Sequence, residues 1–292
     1  MILVAGGTGR LGTLLVGSLT RRGEKVRVLT RDPQRAAHLA GVTEVVTGDV
    51  RDPASLGPAV AGTDTVVSAV HGFTGSRGIS LATVDRDGNA SLCDAAREHG
   101  ASLVLMSVVG AAAASPLELF RMKHAAERYV AGSGVPVTIV RATAFLELWI
   151  DLLRQTAGQS GRPLVFGRGD NPVNFVSALD VAALLDHVIG DPAARGGVLE
   201  IGGPANLTLN QLAGAVQAAD GRTRPPRHLP RPVLRVMAST AGRARPELGR
   251  QVRTALAMDT ADLTFDAAAA RQRYPGLPST SLTQVLAAEA AG

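Results

Sequence analysis

A chain of 292 residues has room for one α/β domain with an appended lobe, and 46% hydrophobic against 19% charged residues excludes a disordered chain. No apolar run reaches the ~18 uninterrupted residues of a membrane helix, so no membrane association is expected, and the single cysteine, Cys93, allows neither an internal disulfide nor a thiolate zinc cluster. The net charge of +5 is scattered, the loose group Arg222, Arg224, Arg227, Arg231 and Arg235 is broken by prolines, and 3% aromatic residues are too few for stacking platforms, so nucleic acid is not an expected partner.

Met1 leads straight into an apolar run with no basic segment before it, which gives a cytoplasmic expectation. Short β-rich runs at 2–5, 25–29, 44–47, 65–69, 102–107 and 137–141 alternate with helical stretches at 10–22, 82–99 and 117–133 and a short turn near 53–60. That alternation predicts an α/β Rossmann core, a doubly wound parallel sheet, over residues 1–144. Residues 145–171 read as a helix followed by a glycine-rich loop, opening a smaller C-terminal substrate lobe. Sheet-like sequence returns at 173–176 and 198–201 around a helix at 179–189, so 173–205 is assigned back to the core. The lobe is then 145–172 with 206–292, its helical runs divided by the Pro- and Arg-rich stretch 222–232. A homodimer would be compatible with these helices, although no segment marks an interface.

The strongest chemical signal stands at the start, where an apolar strand runs into Gly6, Thr8, Gly9, Arg10, Leu11 and Gly12. Glycines at 6, 9 and 12 permit a sharp turn, close approach of backbone to a pyrophosphate and tight packing of helix on strand. The N–H groups of the helix that follows attract anions without a dedicated side chain. At the end of the second strand Thr30 stands where an NAD site would carry an acid, and Arg31 offers a guanidinium to a 2′-phosphate, so NADP is expected over NAD. Asp49 could accept from an adenine amino group while Val50 covers the ring, and Ser68, Ala69 and Val70 lie on the expected path to the nicotinamide ribose.

Of 30 basic residues only Lys25 and Lys123 are lysines. Lys123 breaks the arginine bias within a helix, and a compact ammonium can donate to two ribose hydroxyls, a task that suits a guanidinium poorly. The competing assignment is a surface lysine paired with Glu127 at i+4.

These residues resemble the atypical short-chain dehydrogenase/reductases of the NmrA-like group, which include NAD(P)H-binding regulators and quinone reductase-like proteins. The likeness runs through Gly6 to Gly12, Leu29 to Pro33, Gly48 to Asp52, Lys123 with Glu127, Asn174 to Ala182, Glu200 to Pro204 and Tyr274 to Pro278. It implies that Lys123 matches the lysine of a tyrosine–lysine catalytic pair, that the glycine turn with Thr30 and Arg31 forms the NADP site, and that Ser107, ending the fifth strand, lies near the substrate. Two departures stand out: Leu119 replaces the tyrosine and Ala142 replaces a proline. Reduction of a ketone needs a proton at the developing alkoxide, which leucine cannot supply. Candidate substitute acids are His71, in the loop after the fourth strand, His124, Tyr129 and Glu147, of which His124 and Tyr129 sit off the helical face of Lys123. Hydride acceptors that delocalise charge, such as quinones and enones, depend less on a fixed acid. Phe145, Leu148, Trp149, Leu152 and Leu153 recur at helical spacing, the pattern of a core stripe; if part of it faces the cleft with Phe73 and Phe166 opposite, Phe145 and Trp149 line an apolar pocket for an aromatic or polyketide-like small molecule. The expected function is an NADP-dependent oxidoreductase, the rival a non-catalytic NADP(H) sensor, and an epimerase or isomerase ranks third. The acceptor, the direction and the proton donor stay open.

Overall fold

The computed structural model describes residues 1–73, 79–244 and 246–291, excepting the side chains of 238–251, 269–270 and 291. In chain order the elements are β1 (Ile2–Ala5), α1 (Arg10–Arg21), β2 (Val26–Thr30), β3 (Glu44–Thr47), α2 (Leu56–Val60), β4 (Thr65–Ser68), α3 (Asn89–Glu98), β5 (Ser102–Val108), α4 (Glu118–Ala131), β6 (Val137–Ala142), β7 (Ala144–Phe145), α5 (Leu146–Ala157), β8 (Leu164–Phe166), β9 (Pro172–Val176), α6 (Ala178–Gly190), β10 (Val198–Ile201), β11 (Asn206–Thr208), α7 (Leu209–Ala219), β12 (Arg227–Leu229), α8 (Arg231–Ala244), α9 (Pro246–Met258), α10 (Ala268–Arg273) and α11 (Leu282–Ala291). Among the described residues no helix is long and apolar enough to cross a membrane.

Seven strands form the central sheet in the order β10-β6-β5-β4-β1-β2-β3, with every neighbouring pair parallel. Parallel strands covered on both faces must be apolar at every position, and Ile2, Leu3, Val4 and Ala5 are all buried. Alternate residues then feed separate layers. Val4, Val67, Val104 and Met106 join Leu15, Leu19, Leu184 and Leu185 under α1 and α6. Leu3, Val66, Leu103 and Leu105 join Leu56, Leu92 and Ala126 under α2, α3 and α4. The strand order reverses between β1 and β4, and the crevice beyond their C-terminal ends is where open sheets of this kind bind ligands.

The expected return of 173–205 to the core is split. β10 joins the central sheet beside β6 and α6 packs on α1, but β9 pairs with β7 and β11 in a separate three-stranded sheet. A short apolar run looks the same whichever sheet it enters. The lobe also holds a two-stranded pair, β12 beside β8, which the sequence reading of 145–171 as a helix and glycine-rich loop, and of 222–232 as a Pro- and Arg-rich stretch, did not foresee. Its core gathers Leu146, Ile150, Val165, Phe175, Leu212 and Val216.

The helix expected at 82–99 begins instead as a π-helical segment, Ala82–Gly88, before α3. Asn89 Nδ2 donates to the carbonyl oxygen of Asp85 at 2.8 Å, competing with the regular backbone bond there.

Candidate active site

The glycine turn has the geometry of a phosphate cradle. Gly6 sits at φ +85°, and a Cβ there would lie 2.8 Å from the carbonyl oxygen of Ala69, which sets the turn directly against the end of β4. At Gly12 a Cβ would lie 2.2 Å from Gly6 O, so the helix can pack this close only with glycine. Gly9 is the N-cap of α1, without a side-chain cap and with no acid in the first turn. Uncapped N–H groups at an exposed helix start, beside backbone that tolerates no side chain, fit a pyrophosphate. Thr8 and Leu11 are half-buried, and Leu11 packs on the core. The Arg10 guanidinium turns away to Asp151 of α5 at 2.6 Å, so only its backbone remains at the turn.

The ends of β2 and β3 come together as expected, with Thr30 opposite Thr47. Thr30 is buried and its hydroxyl receives the Asp32 amide; Arg31 is exposed and, among the described residues, makes no hydrogen bond or ion pair. Asp49 is gripped by Arg51, whose Nε lies 3.0 Å from Oδ1 and whose Nη2 lies 2.5 Å from Oδ2. This arginine holds the Asp49 carboxyl below its ordinary pKa against the opposing effect of burial, with Arg31 adding to the lowering. Arg51 was not singled out from sequence. Val50 is buried and packs on Gly88, where a Cβ would lie 2.7 Å from its Cγ2.

At the far end of the crevice the polar groups form a buried network. Ser68 donates to Asn89 Oδ1, and Ala69 and Val70 are half-buried. Lys123 is 4% exposed, and three oxygens surround its Nζ: Asp85 Oδ1 at 3.0 Å, Met106 O at 3.0 Å and Val70 O at 3.3 Å. Glu127 pairs with Arg141, not with Lys123. Sequence reasoning missed Asp85, although a carboxylate one helical turn from Leu81 and Gly88 in an otherwise apolar stripe was a readable signal.

Ser107 is buried on the same face of β5 as Leu103 and Leu105, under α4, and its hydroxyl has no hydrogen-bond partner among the described residues. An orphaned buried hydroxyl beside the Lys123 cluster is what a site awaiting a polar ligand atom presents. His71 keeps a face open to solvent, while the protein packed around it lowers its pKa; Asp85 opposes that shift and Lys123 reinforces it. The other candidate acids are placed elsewhere. Tyr129 is exposed and donates to Asp94, and Glu147 is buried as an acceptor for Ser177 and the Ala178 amide at the start of α6. His124, next to Lys123 in α4 and so about 100° around the helix from it, has a buried Nδ1 without a hydrogen-bond partner among the described residues. Leu119 is half-buried one turn before Lys123 in α4.

Phe145 packs against the central core, whereas Trp149 meets Phe175 edge-on at 6.1 Å within the lobe. Phe73 and Phe166 are half-buried, Phe166 closing β8.

Residues 6–192 match the NAD(P)H-binding family. The chain belongs to that family. It is similar to the NAD(P)H azoreductase of Xenophilus azovorans, 29% identical with 76% of this chain and 74% of that one covered. It also resembles the isoflavone reductase homolog IRL of Zea mays, at 31% identity over 76% and 75% of the two chains. Among solved structures, the NADPH-dependent quinone oxidoreductase of Escherichia coli complexed with NADPH shares the fold at a TM-score of 0.78, with 23% identity and 99% of each chain covered. The quinone-reductase-like resemblance seen in the sequence is thus shown, with an NAD(P)H azoreductase and an NADPH-dependent quinone oxidoreductase among the proteins this chain is similar to.

Proposed function

We propose that this NAD(P)H-binding protein is an NADPH-dependent reductase of a small apolar acceptor, a quinone or an enone. The observation that carries the reading is the uncapped start of α1 beside Gly6, Gly9 and Gly12, opening on the same crevice edge as Val70, Lys123 and the unpartnered Ser107 hydroxyl.

The fit to the cofactor is read from end to end of the crevice. Arg31, exposed and without a hydrogen bond or ion pair among the described residues, would take the 2′-phosphate; Asp49, with Val50, would border the adenine; the α1 N–H groups would hold the pyrophosphate; and Ser68, Ala69 and Val70 would line the nicotinamide ribose. Lys123 would meet a ribose hydroxyl in exchange for its longest contact, to Val70 O. NADPH, when bound, supplies a hydride. Ser107 donates to the acceptor's carbonyl oxygen, and His71 delivers the proton that accompanies the hydride, drawing a replacement from water. Leu119 leaves no phenol for that task, so acceptors that spread charge over a conjugated ring are favoured over simple ketones. Phe73, Phe145, Trp149 and Phe166 offer the apolar surroundings.

Calorimetry with NADPH and NADH, followed by a panel of quinones, enones and ketones with NADPH oxidation as readout, tests the proposal. NADPH preference with turnover of conjugated acceptors supports it. Binding without any acceptor-dependent oxidation favours the second reading, an NADP(H) sensor, for which Leu119 is the specific observation. No binding of either nucleotide overturns both.

A further inference from the structure

Asp85 is a wholly buried carboxylate in the π-helical segment before α3, and both its oxygens are used in opposite directions. Oδ1 faces the Lys123 ammonium at 3.0 Å; the pair's side chains are 0% and 6% exposed. Oδ2 accepts the backbone N–H of Gly72 at 2.8 Å. Gly72 follows His71, and Val70 before it offers its carbonyl to the same ammonium. A Cβ at Gly72 would lie 2.5 Å from Ser80 O, so this backbone is clamped from the other side as well. The π segment is in turn fixed to the end of β4, because Asn89 takes the Asp85 carbonyl through Nδ2 and the Ser68 hydroxyl through Oδ1.

We infer that Asp85 is a positioning residue that locks Lys123 and the Val70–Gly72 backbone into one unit and so shapes the nicotinamide end of the crevice. The inference rests on the reading of the crevice as an NADPH site, but the lock itself exists without the cofactor. Moving a carboxylate and an ammonium out of water is costly, and a purely structural position could be filled by apolar side chains of similar volume. Here the charge has a use. The ammonium is held against two backbone carbonyls while Asp85 balances it, leaving the longest contact, to Val70 O, as the one a ribose hydroxyl can replace. Widened turns of this kind recur at functional sites, where they turn a side chain inward that a regular helix would aim elsewhere.

The experiment compares the unaltered protein with Asp85→Asn and with Asp85→Asn/Lys123→Met, which removes both charges at similar volume. Amide exchange is read first on the cofactor-free proteins. The Gly72 N–H should exchange at least tenfold faster in both variants, while amides in β1 and α1 keep their protection. Unchanged exchange at Gly72 overturns the lock whatever the cofactor does. Calorimetry then compares NADPH with adenosine 2′,5′-bisphosphate, which carries only the adenosine half. Loss of at least tenfold in NADPH affinity, with the bisphosphate within twofold, is expected in both variants. An equal loss for both ligands means general damage to the fold and overturns the positioning role, as does no loss for either. The double variant guards against misfolding from an uncompensated ammonium. It should recover stability and keep the NADPH-specific loss; if NADPH binding recovers with stability, Asp85 acts only on folding. Failure of the unaltered protein to bind NADPH, with the Gly72 lock intact, overturns the functional reading separately.

Discussion

Glu127 and Arg141 meet through two parallel bonds, Nε to Oε1 at 2.9 Å and Nη2 to Oε2 at 2.7 Å, and join α4 to β6. Glu127 is 5% exposed, and Arg141 spends a further nitrogen on Glu200 at 3.2 Å. Because Arg141 is partly open to water, losing the carboxylate costs less than in a sealed pair. Glu127→Gln should lower stability in urea unfolding by about 2 kcal/mol. A change below about 0.5 kcal/mol would show that Glu200 and water can substitute for Glu127.

A methyl group at Gly12 collides with backbone, not with a side chain that could swing aside: Gly6 O would be 2.2 Å away and Gly7 Cα 2.6 Å. Gly12→Ala must therefore push α1 off the turn. Calorimetry should detect no NADPH binding even if circular dichroism shows a folded chain. Gly17→Ala, where the nearest contact is the end of the Arg21 side chain, is the matched control and should bind normally.

The proposed preference for NADPH rests on Arg31. Charge-assisted bonds to one phosphate are worth about 1.5–3 kcal/mol, so Arg31→Asp should shift the NADPH-to-NADH affinity ratio by about tenfold or more toward NADH. Arg51 lies close by but is engaged with Asp49. If the ratio does not move, the 2′-phosphate is held elsewhere, and Arg51→Ala is the next variant to measure.

How much of this was legible depended on whether the information was local. Strand, glycine turn and helix are contiguous in the first residues, so β1, Gly6, Gly9, Gly12 and α1 could be read directly. Lys123 stood out because arginine fills almost every other basic position. Its partner did not, since Asp85 and Lys123 meet only once β4 and β5 are paired and the π-helical segment has turned the carboxylate inward. Glu127, four residues on, looked the more natural partner by helical spacing, but β6 brings Arg141 to it. β8 and β12, three residues each amid glycine, proline and arginine, pair across the lobe and left no periodic trace.

The pH dependence follows from His71. Its pKa is lowered from 6.5, chiefly by the protein packed around it, with Asp85 opposing and Lys123 assisting. The folded protein thus binds fewer protons here than the unfolded chain, so this residue makes stability rise with pH up to about 6.5 and adds nothing further above it. In the proposed role of proton donor, His71 acts from its charged form. The rate constant kcat/KM for a quinone should then fall as pH rises through a value below 6.5, and His71→Gln should flatten that limb. A limb that survives in the variant would remove His71 from the mechanism.

Arg10 separates backbone from side-chain contributions at the glycine turn proposed to hold the pyrophosphate. It is the first residue of α1, but its guanidinium lies 2.6 Å from Asp151 and 3.6 Å from Glu289, with the Arg10 and Asp151 side chains about half exposed. An exposed pair of this kind contributes about 0–1 kcal/mol. Arg10→Ala keeps the N–H and should change NADPH affinity by no more than about threefold and stability by less than about 1 kcal/mol. A loss of tenfold or more in affinity would mean that the guanidinium leaves Asp151 for the pyrophosphate when the cofactor binds. In that case Asp151→Asn, which frees the arginine in advance, should tighten NADPH binding, and calorimetry on the two variants together decides between the alternatives.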